Sequence, residues 1–247
     1  MAEEKKTVKQ TSAKSTKTQS TAKKTATKPK PKEPAKQTKS ESKIDVRVFA
    51  VPERKDNVKK LQEALNIPDE NIVWDNDHKG ILPTAKKVWS LKTDKPFVMV
   101  MNDDAVICKD FMKYVEKIIS LHPNHIVSLF PWQFRKRKQV RNRPRPTPYI
   151  LTKEVMGLAV IMKTEYIKPC LDSWTDDFAD DVNITRWAKE NDIPILTTLP
   201  SIVQHGDYAS TKGVEFEQIQ TDFFNPDPKD ENWDDGYVTA WSNVVAG

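Results

Sequence analysis

A chain of 247 residues with a net charge of +5 and a pI of about 9.0 has room for one or two domains, and its mean hydropathy of −0.67 is polar for a compact fold. The charge is unevenly placed: residues 1–43 hold 13 Lys against 4 Glu, whereas the remainder holds 27 Lys and Arg against 31 Asp and Glu. That split excludes a uniformly basic protein, and two cysteines, Cys108 and Cys170, exclude a disulfide framework.

Residues 1–43 contain 13 Ser and Thr but no Leu, Ile, Phe, Tyr or Trp, so they lack the apolar surface that offsets the entropy of ordering. A disordered Lys-rich tail is expected there, followed by one folded domain over 44–247. The tail has neither the apolar stretch of a secretory signal nor the arginines of a mitochondrial transit peptide. It reads either as an arm drawn to polyanions, above all nucleic acid, or as a solubilising linker.

The domain begins with an alternating strand over 46–51 that breaks at Pro52. A helix over 55–66 follows, with Val58, Leu61 and Leu65 on one face, and then a short strand over 72–74 runs into the polar turn 75–80. Residues 84–91 read as a helix with Ala85, Val88 and Trp89 inward, and the unbroken apolar run 97–101 reads as a strand buried on both faces. Asp110 is the expected N-cap of a helix carrying Phe111, Tyr114, Val115, Ile118 and Ile119. Further strands are expected over 125–130 and 157–162, with a helix after Asp181 patterned on Val182, Ile184, Trp187 and Ala188. No run approaches the ~18 apolar residues of a membrane span, so a soluble cytoplasmic protein is expected, in the host cytoplasm if the chain is viral.

Strands alternating with helices at this spacing define an α/β fold with a mostly parallel central sheet flanked by helices. Ligands in such sheets sit at the carboxyl ends of the strands, which points to Asn102, Asp103 and Asp104 after the best central strand. Two adjacent carboxylates there repel one another, and a divalent cation such as Mg²⁺ or Mn²⁺ would relieve that repulsion. The alternative is a solvated turn.

Four segments in this order resemble glycosyltransferases with the GT-A fold: Val51-Pro52-Glu53-Arg54 closing the first strand; Gly80 before a helix; Met101-Asn102-Asp103-Asp104-Ala105 where that group carries its DxD-type motif; and Pro200-Ser201-Ile202-Val203-Gln204-His205-Gly206 with Ser210-Thr211. The resemblance covers about residues 45–213. It implies a metal-dependent transferase using a nucleotide-sugar donor, with a UDP-sugar the first choice. Asp104 and His205 would then be metal ligands, with Asp103 or Asn102 helping to hold the metal or the ribose and Arg54 contacting the donor. The imidazole makes Mn²⁺ the first choice and Mg²⁺ the second. An acceptor hydroxyl needs a base, and Asp180-Asp181 stands where the resemblance puts one; Asp181 is expected to cap its helix and Asp180 to face the substrate, with Asp176 and Asp177 as competitors.

The acceptor is read from charge. Arg135, Lys136, Arg137, Lys138, Arg141, Arg143 and Arg145 lie in a 14-residue stretch without an acid, and Pro144, Pro146 and Pro148 keep it from forming helix or inner strand. An exposed cationic loop of this kind suits a nucleic-acid backbone, and Trp132 and Phe134 beside it could stack on a base or belong to the core. A hydroxymethylated pyrimidine in DNA, as some bacteriophages glycosylate, is the expected acceptor. The alternatives are a cell-surface glycan or protein acceptor, and a nucleic-acid-binding protein on a transferase scaffold without turnover. Trp233 and Trp241 near the end either pack onto the body or close over the donor.

Overall fold

The order of local signals is reproduced in a mixed α/β architecture. The computed structural model describes residues 42–131, 148–208, 220–234 and 239–240. The Lys-rich tail and the cationic stretch from Arg135 to Arg145 therefore lie outside the described residues, as do Trp132, Phe134, Ser210, Thr211 and Trp241. Residues 41–247 form one compact unit.

The chain runs β1 (Ile44–Ala50), α1 (Lys55–Leu65), β2 (Ile72–Trp74), α2 (Ile81–Trp89), β3 (Phe97–Asn102), β4 (Ala105–Ile107), α3 (Phe111–Leu121) and β5 (Ile126–Ser128). It continues with β6 (Tyr149–Thr152), β7 (Ala159–Lys163), α4 (Thr164–Asp172), α5 (Asp180–Glu190), β8 (Ile195–Thr198), β9 (Val203–His205) and β10 (Thr239–Ala240). Eight strands form one sheet in the order β10-β6-β8-β5-β7-β3-β1-β2, and β4 and β9 pair separately. Of the seven pairings in the large sheet, four are parallel and three antiparallel. The antiparallel insertion of β7 between β3 and β5 is a feature that hydrophobic periodicity does not report.

Two cores lie on opposite faces of the sheet, because successive strand residues point to opposite sides. Val48, Met99, Met101 and Ile161 pack with Val58 and Leu61 of α1 and with Phe111, Val115 and Ile118 of α3. Val98, Val100, Val160 and Met162 pack instead with Ala85 and Val88 of α2, Ile167 of α4, and Ile184 and Trp187 of α5. Val182, the first apolar residue of the α5 pattern, proves exposed. The run 97–101 is indeed buried on both faces, with Val98 and Met99 fully so.

Two local expectations are corrected, and one open alternative is decided. α2 begins at Ile81, ahead of Pro83, because a proline in the first turn gives up no intrahelical hydrogen bond. Asp110 does precede α3, but its backbone is left-handed (φ 54°) and its side chain makes no capping bond. Trp233 is buried against Tyr114 and Tyr149, and its Nε1–H donates to the Pro228 carbonyl, so it belongs to the core rather than to a ligand site.

One polar group inside the fold fixes α2. Arg47 on β1 is fully buried, pairs with Asp45 and donates from Nη1 to the carbonyls of Val88 and Trp89. These are the last carbonyls of α2, which have no partners within the helix, so the guanidinium anchors that end while the opposite end faces the cleft described next.

Candidate functional site

β1 and β3 run parallel and end side by side, with Phe49 in register with Asn102. The chain leaves β3 through Asp103 and Asp104 and enters β4, whose Ala105 pairs with His205 of β9. That pairing brings the imidazole beside the acid, with Nδ1 3.1 Å from Asp104 Oδ2. The Gly206 N–H donates to the Asp104 carbonyl at 2.7 Å, and the Asn57 side-chain amide of α1 donates to the Asp103 carbonyl at 2.6 Å, so the turn is held from both sides.

A cleft of about 800 Å³ opens at this edge of the sheet. Arg54, Asn102, Asp103, Asp104, Asp180, Asp181 and His205 all line it, so every candidate residue of the sequence reading that falls among the described residues converges on one cavity. Asp176 and Asp177 line it as well.

The two acids after β3 are not equivalent. Asp103 accepts from the Val51 N–H at 2.7 Å through Oδ2 and from Arg54 Nη1 at 2.6 Å through Oδ1. Both of its oxygens are engaged in closing the end of β1. Asp104 meets the same Arg54 nitrogen at 3.2 Å and His205 through Oδ2, leaving Oδ1 buried without a partner among the described residues. The Asn102 side-chain oxygen is likewise buried and unpartnered. Burial raises the Asp103 carboxyl above its ordinary range, with the neighbouring Asp104 charge adding to it, and neither Val51 nor Arg54 fully offsets this. Burial also opposes ionisation of Asp104, but the His205 hydrogen bond and charge, with Arg54 behind them, hold it below the ordinary range.

Arg54 partly offsets the repulsion between the adjacent acids, its guanidinium bridging both. Arg54 thus has a structural partner role within the wall of the cleft, and each Asp103 oxygen already accepts one hydrogen bond. Among the described residues no three His, Cys, Asp or Glu side chains gather as a chelating group. The donors that remain are Asp104 Oδ1, Asn102 Oδ1 and the His205 imidazole. Hard oxygen acceptors with one imidazole fit Mn²⁺, whose remaining positions a phosphate or water would fill.

On the other wall, Asp180 and Asp181 occupy the first turn of α5. Ala179 stands at the N-cap and makes no side-chain capping bond, so Asp181 is not the cap expected of it. Its Oδ1 accepts from the adjacent Val182 N–H at 2.8 Å, and its side chain lies over Gly157, 3.5 Å from where a Cβ would stand there. Asp180 is buried and Asp181 half-buried, and both remain facing the cavity. Asp176 is taken up by Lys86 of α2 at 2.6 Å.

Sequence reasoning named the turn 75–80 and Gly80 but not the role of Asp75 in this third wall. Asp75 accepts from the N–H groups of Lys79 and Gly80 at 2.8 and 2.9 Å, and Gly80 takes a positive φ of 100° to start α2. Only glycine adopts that angle without strain. The Asp…Gly spacing in the turn 75–80 was the available signal. Phe130 also went unassigned; it meets the His205 ring edge-on, with centroids 5.0 Å apart.

No family model matches the chain, and no curated protein matches it. Among solved structures it is similar to A197 from STIV, over 73% of this chain and 96% of that one, at 13% identity and a TM-score of 0.44. A likeness of that depth assigns neither residues nor activity. No helix among the described residues is long and apolar enough to cross a membrane.

Proposed function

We propose that the chain is a metal-dependent glycosyltransferase that moves a sugar from a nucleotide-sugar donor to a hydroxyl acceptor. The observation that carries this reading is the buried, unpartnered oxygen of Asp104, whose other oxygen meets His205, in the same cleft as Asn102, Asp180 and Asp181. Charge supports the metal dependence. Seven aspartates line the cleft against one arginine and two histidines, a field that would repel a bare diphosphate. Asp104, Asn102 and His205 would hold Mn²⁺, which would supply positive charge to stabilise the departing nucleoside diphosphate. The acceptor oxygen forms its bond to the anomeric carbon as the carbon–phosphate oxygen bond breaks, and Asp180 or Asp181 takes the acceptor proton. Arg54 keeps Asp104 ionised and in place.

The acceptor in this reading is a hydroxymethylated pyrimidine in DNA. Its support is the charge of the sequence from Arg135 to Arg145 and of the Lys-rich tail. A base in a duplex would have to be everted to reach the cleft. The second reading is a nucleic-acid-binding protein without turnover; among the described residues no three His, Cys, Asp or Glu side chains gather as a chelating group. Labelled nucleotide sugars with Mn²⁺ and DNA bearing 5-hydroxymethylcytosine or 5-hydroxymethyluracil separate the two. Label in the modified DNA and not in unmodified DNA is the expected result; intact donors throughout would leave only the binding protein.

A further inference from the structure

One exposed aromatic side chain lies at the mouth of the cleft, on a loop that is tightly held. Phe178 is 41% exposed, and it lines the cleft immediately before the turn that carries Asp180 and Asp181. Its backbone has little freedom. Asn183, 2% exposed on α5, accepts from the Thr175 N–H at 3.1 Å and donates its side-chain amide to the carbonyls of Thr175, Phe178 and Ala179 at 3.0 to 3.2 Å. The ring is therefore presented by a clamped loop rather than left behind by a loose one.

Arg186, two turns along the same helix, sets its guanidinium 4.7 Å from the centroid of the Phe178 ring. Phe178 lines the cleft, and the Arg186 guanidinium lies against its ring outside the lining residues. Among the described residues Arg186 pairs with no carboxylate, and Lys86 takes up Asp176, the exposed acid two residues before Phe178. An aromatic ring at the cavity and a planar cation against it that pairs with no carboxylate among the described residues are the two elements that grip a single nucleotide: the base stacks, and the phosphate meets the guanidinium.

We propose that Phe178 and Arg186 form an acceptor platform, on which a pyrimidine base of a nucleic acid lies against Phe178 with its backbone phosphate at Arg186. This deepens the acceptor assignment made above and rests on it. A base lying there would bring a ring substituent toward Asp180 and Asp181, two and three residues on.

The test uses the full chain and two labelled strands: a decamer of abasic residues with one central 5-hydroxymethylcytosine, and the same strand wholly abasic. Binding is read by fluorescence anisotropy at fixed salt. The wild type is expected to prefer the base-bearing strand by about tenfold, the scale of one stacked base. Phe178→Ala should abolish that preference and Phe178→Trp should retain it. Arg186→Gln should weaken both strands alike and lower the salt slope by about one. An unchanged preference in Phe178→Ala, or none in the wild type, overturns the platform. So does Phe178-dependent binding of a neutral oligosaccharide in place of the base. Binding of UDP with Mn²⁺ is scored in parallel. Donor binding without base preference removes the platform and leaves the transferase. Base preference without donor binding keeps the platform and removes the transferase.

Discussion

The two carboxylate-bearing walls of the cleft are built from the same residue type and behave differently. On the β3 side, Asp103 and Asp104 are buried at a strand end and locked to Arg54, Val51 and His205. On the α5 side, Asp176 and Asp177 are exposed, Asp181 is half-buried, and the neighbouring Phe178 faces solvent. The first wall is held by hydrogen bonds and one shared cation. The second is more exposed, although Asp180 is buried and Asn183 clamps the loop before it. Even the two members of the β3 pair diverge, with Asp103 raised and Asp104 lowered, because one oxygen set is spent on closing β1 and the other keeps an unpartnered atom.

The largest effect expected from breaking this asymmetry is on activity. Asp104→Asn should lower metal-dependent turnover by about 10²-fold or more, the scale of losing one preorganised electrostatic group; a turnover series against Mn²⁺ concentration checks it. Next comes stability. Arg54→Leu leaves two buried carboxylates without their cation, and the chemical-denaturation midpoint should fall by an amount equivalent to ~3 kcal/mol. On the α5 side, Asn183→Ala removes the buried clamp of residues 175–179 and should cost about 2 kcal/mol in the same assay, with acceptor-side function lost before donor binding.

These predictions show where sequence alone sufficed and where it did not. The apolar run before Asn102 placed β3, and the rule that ligands gather at strand ends placed Asp103 and Asp104 at the cleft. His205 and the acids at 180 and 181 were legible only as parts of an ordered set. Their meeting depends on the β4–β9 pairing and on α5 packing against the sheet, both contacts between segments far apart in the chain. Arg54 as the cation between the acids, Asn183 as a clamp and Asp75 as the support of Gly80 were not legible. Each is one polar residue in a loop or helix whose partner is set by the tertiary fold.

A smaller effect sharpens the contrast within the β3 pair. In metal-free buffer, Asp104, held low in the folded state, contributes stability that is present above the ordinary carboxylate range and lost as pH falls through its folded value. Asp103, held high, contributes in the opposite sense: its share is present below that range and lost as pH rises through its folded value. Between about pH 3 and 6, stability should therefore rise less steeply with pH in Asp104→Asn than in the wild type, and more steeply in Asp103→Asn. Thermal melts across that range distinguish the two. The smallest effect belongs to Lys86→Ala, which removes an exposed ion pair and should change stability by less than about 0.5 kcal/mol.

The central claim is that the wall formed by Asn102, Asp104 and His205 holds a divalent cation and through it a nucleotide donor. Calorimetric titration of a panel of nucleoside diphosphates into the full chain, with Mn²⁺ and with a chelator, tests it without any knowledge of the acceptor. The account expects one diphosphate to bind at least about tenfold more tightly with Mn²⁺, with Asp104→Asn losing that gain. Equal affinity with and without the metal, or a gain that survives Asp104→Asn, would contradict it.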